Sequence, residues 1–164
     1  MADVRAIRIL GVDPGLSRTG WGLIDCNGKD VRVVSKGVIE TRSSQSFPAR
    51  LFLLHEGLDA IIQSYTPQVL SVESAIFAKN TQIALKLGHA RGVLVLAAAQ
   101  RELAISEYSP KEIKVSVTGN GNASKNQVQR MVQSILRLQE IPSPNDIADA
   151  LAVAICYYHR SPAC

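Results

Sequence analysis

Residues 6–26 read AIRILGVDPGLSRTGWGLIDC, and the fold turns on how this stretch divides. Ala6 to Val12 is apolar and rich in β-branched side chains, and Asp13-Pro14-Gly15 is a turn former. The pattern predicts a central strand closing at Asp13, followed by a second strand from Thr19 to Cys26 with glycines at 20 and 22. Three accounts of Asp13 are then open: the acid of a glycine-rich phosphate cradle, a metal ligand, or a turn residue between strands. The nucleotide-cradle account fails within the stretch. Gly15-Leu-Ser-Arg-Thr-Gly20 has P-loop glycine spacing, but Trp21 stands where a lysine must reach phosphate.

Working outward, Asn27-Gly28 is a hairpin signal, and Asp30 to Thr41 predicts a third strand. Three strands joined by short turns read as an antiparallel meander. The hydrophobic period then lengthens. Leu51, Leu54, Leu58, Ile61 and Ile62 predict an amphipathic helix over Phe47 to Tyr65, which Pro67 ends. Gln68 to Glu73 is a short buried strand, Thr81 to Arg101 a long helix with Gly88, Ala90 and Gly92, and Ala104 to Glu107 a fifth strand. Pro110 opens a helical turn, and GNGNAS (119–124) is a loop. Ser124 with Gln127 forms a capping-box pattern for a helix to about Leu138, and Asn145 is the expected cap of a last helix to about Tyr158. The expected architecture is α/β, a five-stranded mixed sheet of three antiparallel strands plus two parallel ones, flanked by helices. One domain over residues 1–164 is expected, long enough for its own core.

Composition narrows the function classes. A hydrophobic content of 46% argues against disorder, and 18 basic against 14 acidic residues permit a polyanionic partner without requiring one. Cys26, Cys156 and Cys164 are odd in number, far apart and without a CxxC pair, which suggests neither a disulfide framework nor a zinc site. No signal-peptide pattern opens the sequence, and the apolar run from Val93 to Ala99 is too short for a bilayer, so a soluble cytoplasmic protein without a membrane partner is expected.

Four acids stand where chemistry could use them. Asp13 ends the first strand and Glu73 the fourth, while Asp146 and Asp149, three apart, share a face at the start of the last helix. Singly, each has an ordinary account: a turn residue, a solvated strand end, or acids opposing a helix dipole. If the first and fourth strands are neighbours and the last helix crosses their ends, the four carboxylates meet. Mutual repulsion then disfavours full ionisation, and hard cations such as Mg²⁺ or Mn²⁺ relieve it. Lys79 and Lys86 fall on one helical face, and Lys111, Lys114, Lys125 and Arg130 lie around the GNGNAS loop. Each alone is an ordinary surface charge; together they could hold backbone phosphates beside the acids.

Four blocks extend this reading across nearly the whole chain: GVDPGLSRTGWG, VESAIFAKN with the following ALKLGHARG, KVSVTGNGNASKNQVQRMV, and DIADALAVAI. In this order and spacing they resemble the RuvC family of bacterial Holliday-junction resolvases. The resemblance implies an RNase H-like fold and a structure-selective endonuclease acting on four-way DNA junctions in recombination and repair, leaving 5′-phosphate and 3′-hydroxyl ends. It places the family's catalytic and metal-holding acids on Asp13, Glu73, Asp146 and Asp149, with two Mg²⁺ ions per site and Mn²⁺ as the alternative. Asp13 would touch both ions, Glu73 one, and Asp146 with Asp149 the other. Lys114 and Lys125 match the phosphate-handling lysines, Lys125 also acting on the scissile phosphate. The resemblance further implies a homodimer and cooperation with the RuvA–RuvB branch-migration complex. Its base-stacking aromatic falls on Ile76, so Phe77, one residue later, is the expected DNA contact. The sequence ends soon after its last expected helix, without the basic tail some members carry.

Symmetric nicking of a junction suits a C₂ dimer, and the small-residue helix from Thr81 to Arg101 is the expected interface. Three other readings compete. An actin-like sugar kinase would need a second lobe. A silent junction-binding module would lack acids. A nuclease for RNA or another DNA structure would share the fold, which does not by itself decide substrate.

Overall fold

The computed structural model describes residues 6–74 and 79–161. Its five strands are β1 (Ile7–Asp13), β2 (Arg18–Asn27), β3 (Asp30–Glu40), β4 (Val69–Glu73) and β5 (Ala104–Tyr108). They form one sheet in the order β3-β2-β1-β4-β5. β1 pairs antiparallel with β2, which pairs antiparallel with β3, while β4 runs parallel to both β1 and β5. The meander and the two parallel strands are therefore as expected. The helices are α1 (Phe47–Tyr65), α2 (Thr81–Gln100), α3 (Pro110–Thr118), α4 (Lys125–Ile135) and α5 (Asn145–Arg160).

Side chains alternate across a strand, so β1 divides its residues between two cores. Leu10 and Val12 join Leu70 and Val72 of β4 under α1 and α2, where Leu54, Leu58, Ile62, Ala90 and Leu94 are buried. Ile9, with Ile24 and Val69, faces α3, α4 and α5, packing with Ile113, Val132, Leu151 and Ile155. Asp13 and Glu73 keep the parity of Ile9 and Val69, and this turns both acids toward α5.

α5 lies unusually close to the sheet. A Cβ at Gly11 would overlap the carbonyl oxygen of Ala150, and one at Gly20 would overlap that of Asp146. These glycines are needed for the helix approach itself, not for a turn. The buried Ser71 hydroxyl adds a directed tie, donating to the Val153 carbonyl at 2.8 Å.

Three local expectations change. Pro110 opens a nine-residue helix rather than a single turn, because Ser109 and Glu112 complete a capping box. Asn145 is the first residue of α5, not its cap; Pro144 occupies the cap position, without a side-chain hydrogen bond. Cys26 is disulfide-bonded, a pairing that depends on spatial approach and that the wide spacing of the cysteines did not suggest. The Ser124–Gln127 capping box is present as expected. Among the described residues no helix is long and apolar enough to cross a membrane.

Gly11→Ala should lower stability by about 1–3 kcal/mol, since backbone of α5 rather than a flexible side chain must move. The expected readout is a lower denaturant midpoint at unchanged m-value.

Candidate active site

β1 and β4 end side by side. Their parallel register runs to Val12 opposite Val72, so the next residues, Asp13 and Glu73, project from adjacent strand ends. Asp149, on the first turns of α5, completes a cleft of about 270 Å³ that also includes Lys114 of α3 and Lys125 of α4. Ile113, Val128, Ala152 and Val153 give the cleft an apolar wall. Residues far apart in sequence thus converge because α5 spans the ends of β1 and β4 while α3 and α4 pack beside it.

The acids perturb one another. Burial, with the charges of Asp149, Glu73 and Asp146, raises the Asp13 carboxyl to about 7, against a smaller opposing effect of Lys125. Glu73 is also raised, by burial and Asp149, with Lys114 and Lys125 opposing. The Lys125 ammonium stands 2.9 Å from Asp149 Oδ2, and this contact raises the lysine's pKa against the desolvation that would lower it.

Asp146 stands slightly apart. It belongs to a neighbouring pocket with Ser17, Arg18, Glu40, Thr41 and Arg42, and Arg18 Nη1 lies 3.7 Å from its Oδ2. Its charge still reaches Asp13, so the four acids form one electrostatic unit entered from two sides.

The donor set fits a divalent cation. All its acids offer hard oxygen ligands, and the elevated Asp13 carboxyl marks negative charge that the lysines only partly offset. Among the described residues no group of three or more acid, histidine or cysteine side chains stands close enough together to hold a metal ion without rearrangement.

The other expected contacts divide. Lys114 lines the cleft. Lys111 is exposed, its stem against Gly121 in the loop beside α3, and does not line the cleft. Lys79 and Lys86 are exposed on or beside α2, and neither lines the cleft. Ile76 and Phe77 lie outside the described residues. Two arginines were not anticipated: Arg18 beside Asp146, and Arg91, whose Nε donates to the Glu73 carbonyl. Arg18 had a signal, since it lies in the GLSRTG stretch between two strands whose ends carry the site. Arg91 lies within the ALKLGHARG block, but nothing in its spacing points to Glu73.

The chain is similar in sequence and fold to known proteins of one family. The sequence model of the family described as crossover junction endodeoxyribonuclease RuvC matches residues 9–157. A protein of that name from Caldicellulosiruptor saccharolyticus is 47% identical over 152 residues, covering 92% of each chain. The structure of Thermus thermophilus RuvC in complex with a Holliday junction substrate superposes with a TM-score of 0.88 at 28% identity, covering 93% of each chain. The yeast mitochondrial Holliday junction resolvase Ydc2 shares the fold, with a TM-score of 0.70 at 14% identity over 93% of this chain and 78% of its own.

The raised Asp13 carboxyl gives a signed pH dependence in cation-free protein. Between its ordinary value of 3.8 and about 7, the folded state binds a proton that the unfolded state has released. Stability from this group is therefore full below about pH 4, falls as pH rises to about 7, and stays at its lower level above. Asp13→Asn in the presence of EDTA should raise the thermal midpoint at pH 8 by several degrees and change it little at pH 4, as scanned by calorimetry.

Proposed function

Since the chain belongs to the RuvC family of crossover junction endodeoxyribonucleases, with an RNase H-like fold, we propose that its cleft is the active site that nicks four-way DNA junctions. The observation that carries this reading is the meeting of Asp13, Glu73 and Asp149 with Lys114 and Lys125 in one cleft, with Asp146 at its edge. Residues 1–164 serve as one nuclease domain.

Asp13, Glu73, Asp146 and Asp149 would hold two divalent cations, Mg²⁺ or Mn²⁺. Such ions lower the pKa of an attacking water and neutralise charge on the leaving 3′ oxygen. The chain's own residues do the rest. Asp13 and Glu73 present carboxylates from adjacent rigid strand ends, so neither depends on a mobile loop for its position. Lys125 is already paired with Asp149 and is placed to meet a phosphate that enters over the acids. Lys114, on α3, screens Glu73 and offers a second phosphate contact. The apolar wall of Ile113, Val128 and Val153 limits water around the reacting phosphodiester, which strengthens each of these electrostatic contacts. Phe77 is assigned the stacking contact with an unpaired base, and Lys79, Lys86 and Lys111 contacts with flanking phosphates. Hydrolysis leaves 5′-phosphate and 3′-hydroxyl ends.

A junction with approximate two-fold symmetry needs two equivalent nicks, and two identical sites related by a C₂ axis supply them. The proposed interface is α2. Leu85 and Leu96 are exposed there beside Gly88 and Gly92, an apolar face whose glycines permit close helix approach. The RuvA–RuvB branch-migration complex is the proposed partner machinery, and the bacterial cytoplasm the compartment.

Asp13→Asn should reduce nicking of a mobile four-way junction by at least about 100-fold in Mg²⁺ or Mn²⁺ while retaining junction binding, since it removes a negative charge facing DNA. Gel-resolved single-turnover cleavage checks this, and a mutant that nicks as well as wild type refutes the assignment. Leu85→Glu should shift the protein to monomer in sedimentation velocity and uncouple the paired nicks, leaving single nicks to accumulate.

A further inference from the structure

Arg91 belongs to α2, on the face of the sheet opposite α5, yet its guanidinium reaches the end of β4. Its Nε donates to the Glu73 carbonyl oxygen at 2.9 Å. Its Nη2 stands 2.7 Å from Glu107 Oε1 on β5. This second contact is an ion pair by distance only, because the buried Nη2 has no hydrogen bond of acceptable alignment. The directed bond to Glu73 is therefore the better-formed of the two. The arginine side chain is 19% exposed, against 47% for Glu107, so the pairing is substantially shielded from solvent on the arginine's side.

The location explains what this bond does. Pairing between β1 and β4 ends at Val12 opposite Val72, one residue before Glu73. Beyond that point the β1 ladder no longer fixes β4. On the β5 side, Glu73 pairs with Tyr108, and the Ser74 amide donates to the Tyr108 carbonyl at 2.9 Å. Arg91 adds a hold on the Glu73 carbonyl where the ladder has run out. The charges that shift the Glu73 carboxyl are those of Asp149, Lys114 and Lys125. Arg91 thus acts on the main chain of Glu73 and not on its carboxylate. Peptide orientation at a strand end sets the direction of the side chain on the other face. A catalytic carboxylate displaced by about 1 Å is enough to cost about 100-fold in rate.

We propose that Arg91 is a positioning residue for Glu73: from the far side of the sheet it fixes the Glu73 carbonyl, and so the direction in which the carboxylate enters the cleft. This rests on the reading of Glu73 as a cation-holding acid. The test compares wild type, Glu73→Gln, Arg91→Met, Arg91→Lys and the double variants. Mn²⁺ binding to the DNA-free protein is measured by electron paramagnetic resonance, junction affinity by electrophoretic mobility, and kcat by cleavage.

Arg91→Met should weaken Mn²⁺ binding and kcat by about 10-fold or more, with junction affinity within about twofold of wild type. Arg91→Lys, which keeps a donor and the charge, should recover part of the loss. In the Glu73→Gln background, either Arg91 change should add less than about twofold to the Mn²⁺ loss, because the group it positions is already gone. Equal loss in both backgrounds would mean a merely structural arginine and overturns the proposal. So would wild-type Mn²⁺ binding and kcat in the Arg91 variants while Glu73→Gln loses both. If Glu73→Gln itself binds Mn²⁺ and cleaves as wild type does, the reading of the cleft fails first. Should Arg91→Met not fold, Arg91→Lys in the two backgrounds carries the same comparison.

Discussion

The separation between α5 and the sheet is set by side chains that are absent. Gly11 and Gly20 leave the backbone of β1 and β2 bare where the carbonyls of Ala150 and Asp146 come down on it. With ordinary residues there the helix would stand off, and Asp149 would no longer share a cleft with Asp13 and Glu73. Ser71 fixes the third side of the contact through its bond to the Val153 carbonyl. Placement of Asp149 beside two strand ends far from it in sequence is thus a packing problem on one helix. Small residues solve it on the sheet side, and Ala150 and Ala154 solve it on the helix side.

Given that approach, electrostatics sets the character of the site. Burial and three neighbouring acids raise Asp13 to about 7, a cost that an isolated protein would relieve by keeping a proton. Lys125, paired with Asp149, relieves part of it, while Arg18 stands against Asp146. The overall net charge of +4 conceals this arrangement, because four of the 14 acidic residues are gathered at one site. A mild global excess is therefore compatible with a strongly polarised local site.

Much of this was readable in the sequence because strand ends and turns leave local marks. Asp13-Pro14-Gly15 announces the end of β1, Asn27-Gly28 the hairpin, and Ser124 with Gln127 the start of α4. The meeting of Asp13 with Glu73 was conditional on β1 and β4 being neighbours, which no local signal contains; pairing is a property of the sheet. The motif order across the chain supplied what periodicity could not. Contacts that run through main-chain atoms stayed hidden. Arg91 bonds to a carbonyl, and every residue has one, so nothing in residue type or spacing points to Glu73. The cap of α5 was misassigned for a related reason. Asn145 is a good capping residue, but Pro144 already holds the extended geometry of the cap, and the asparagine is carried into the first turn.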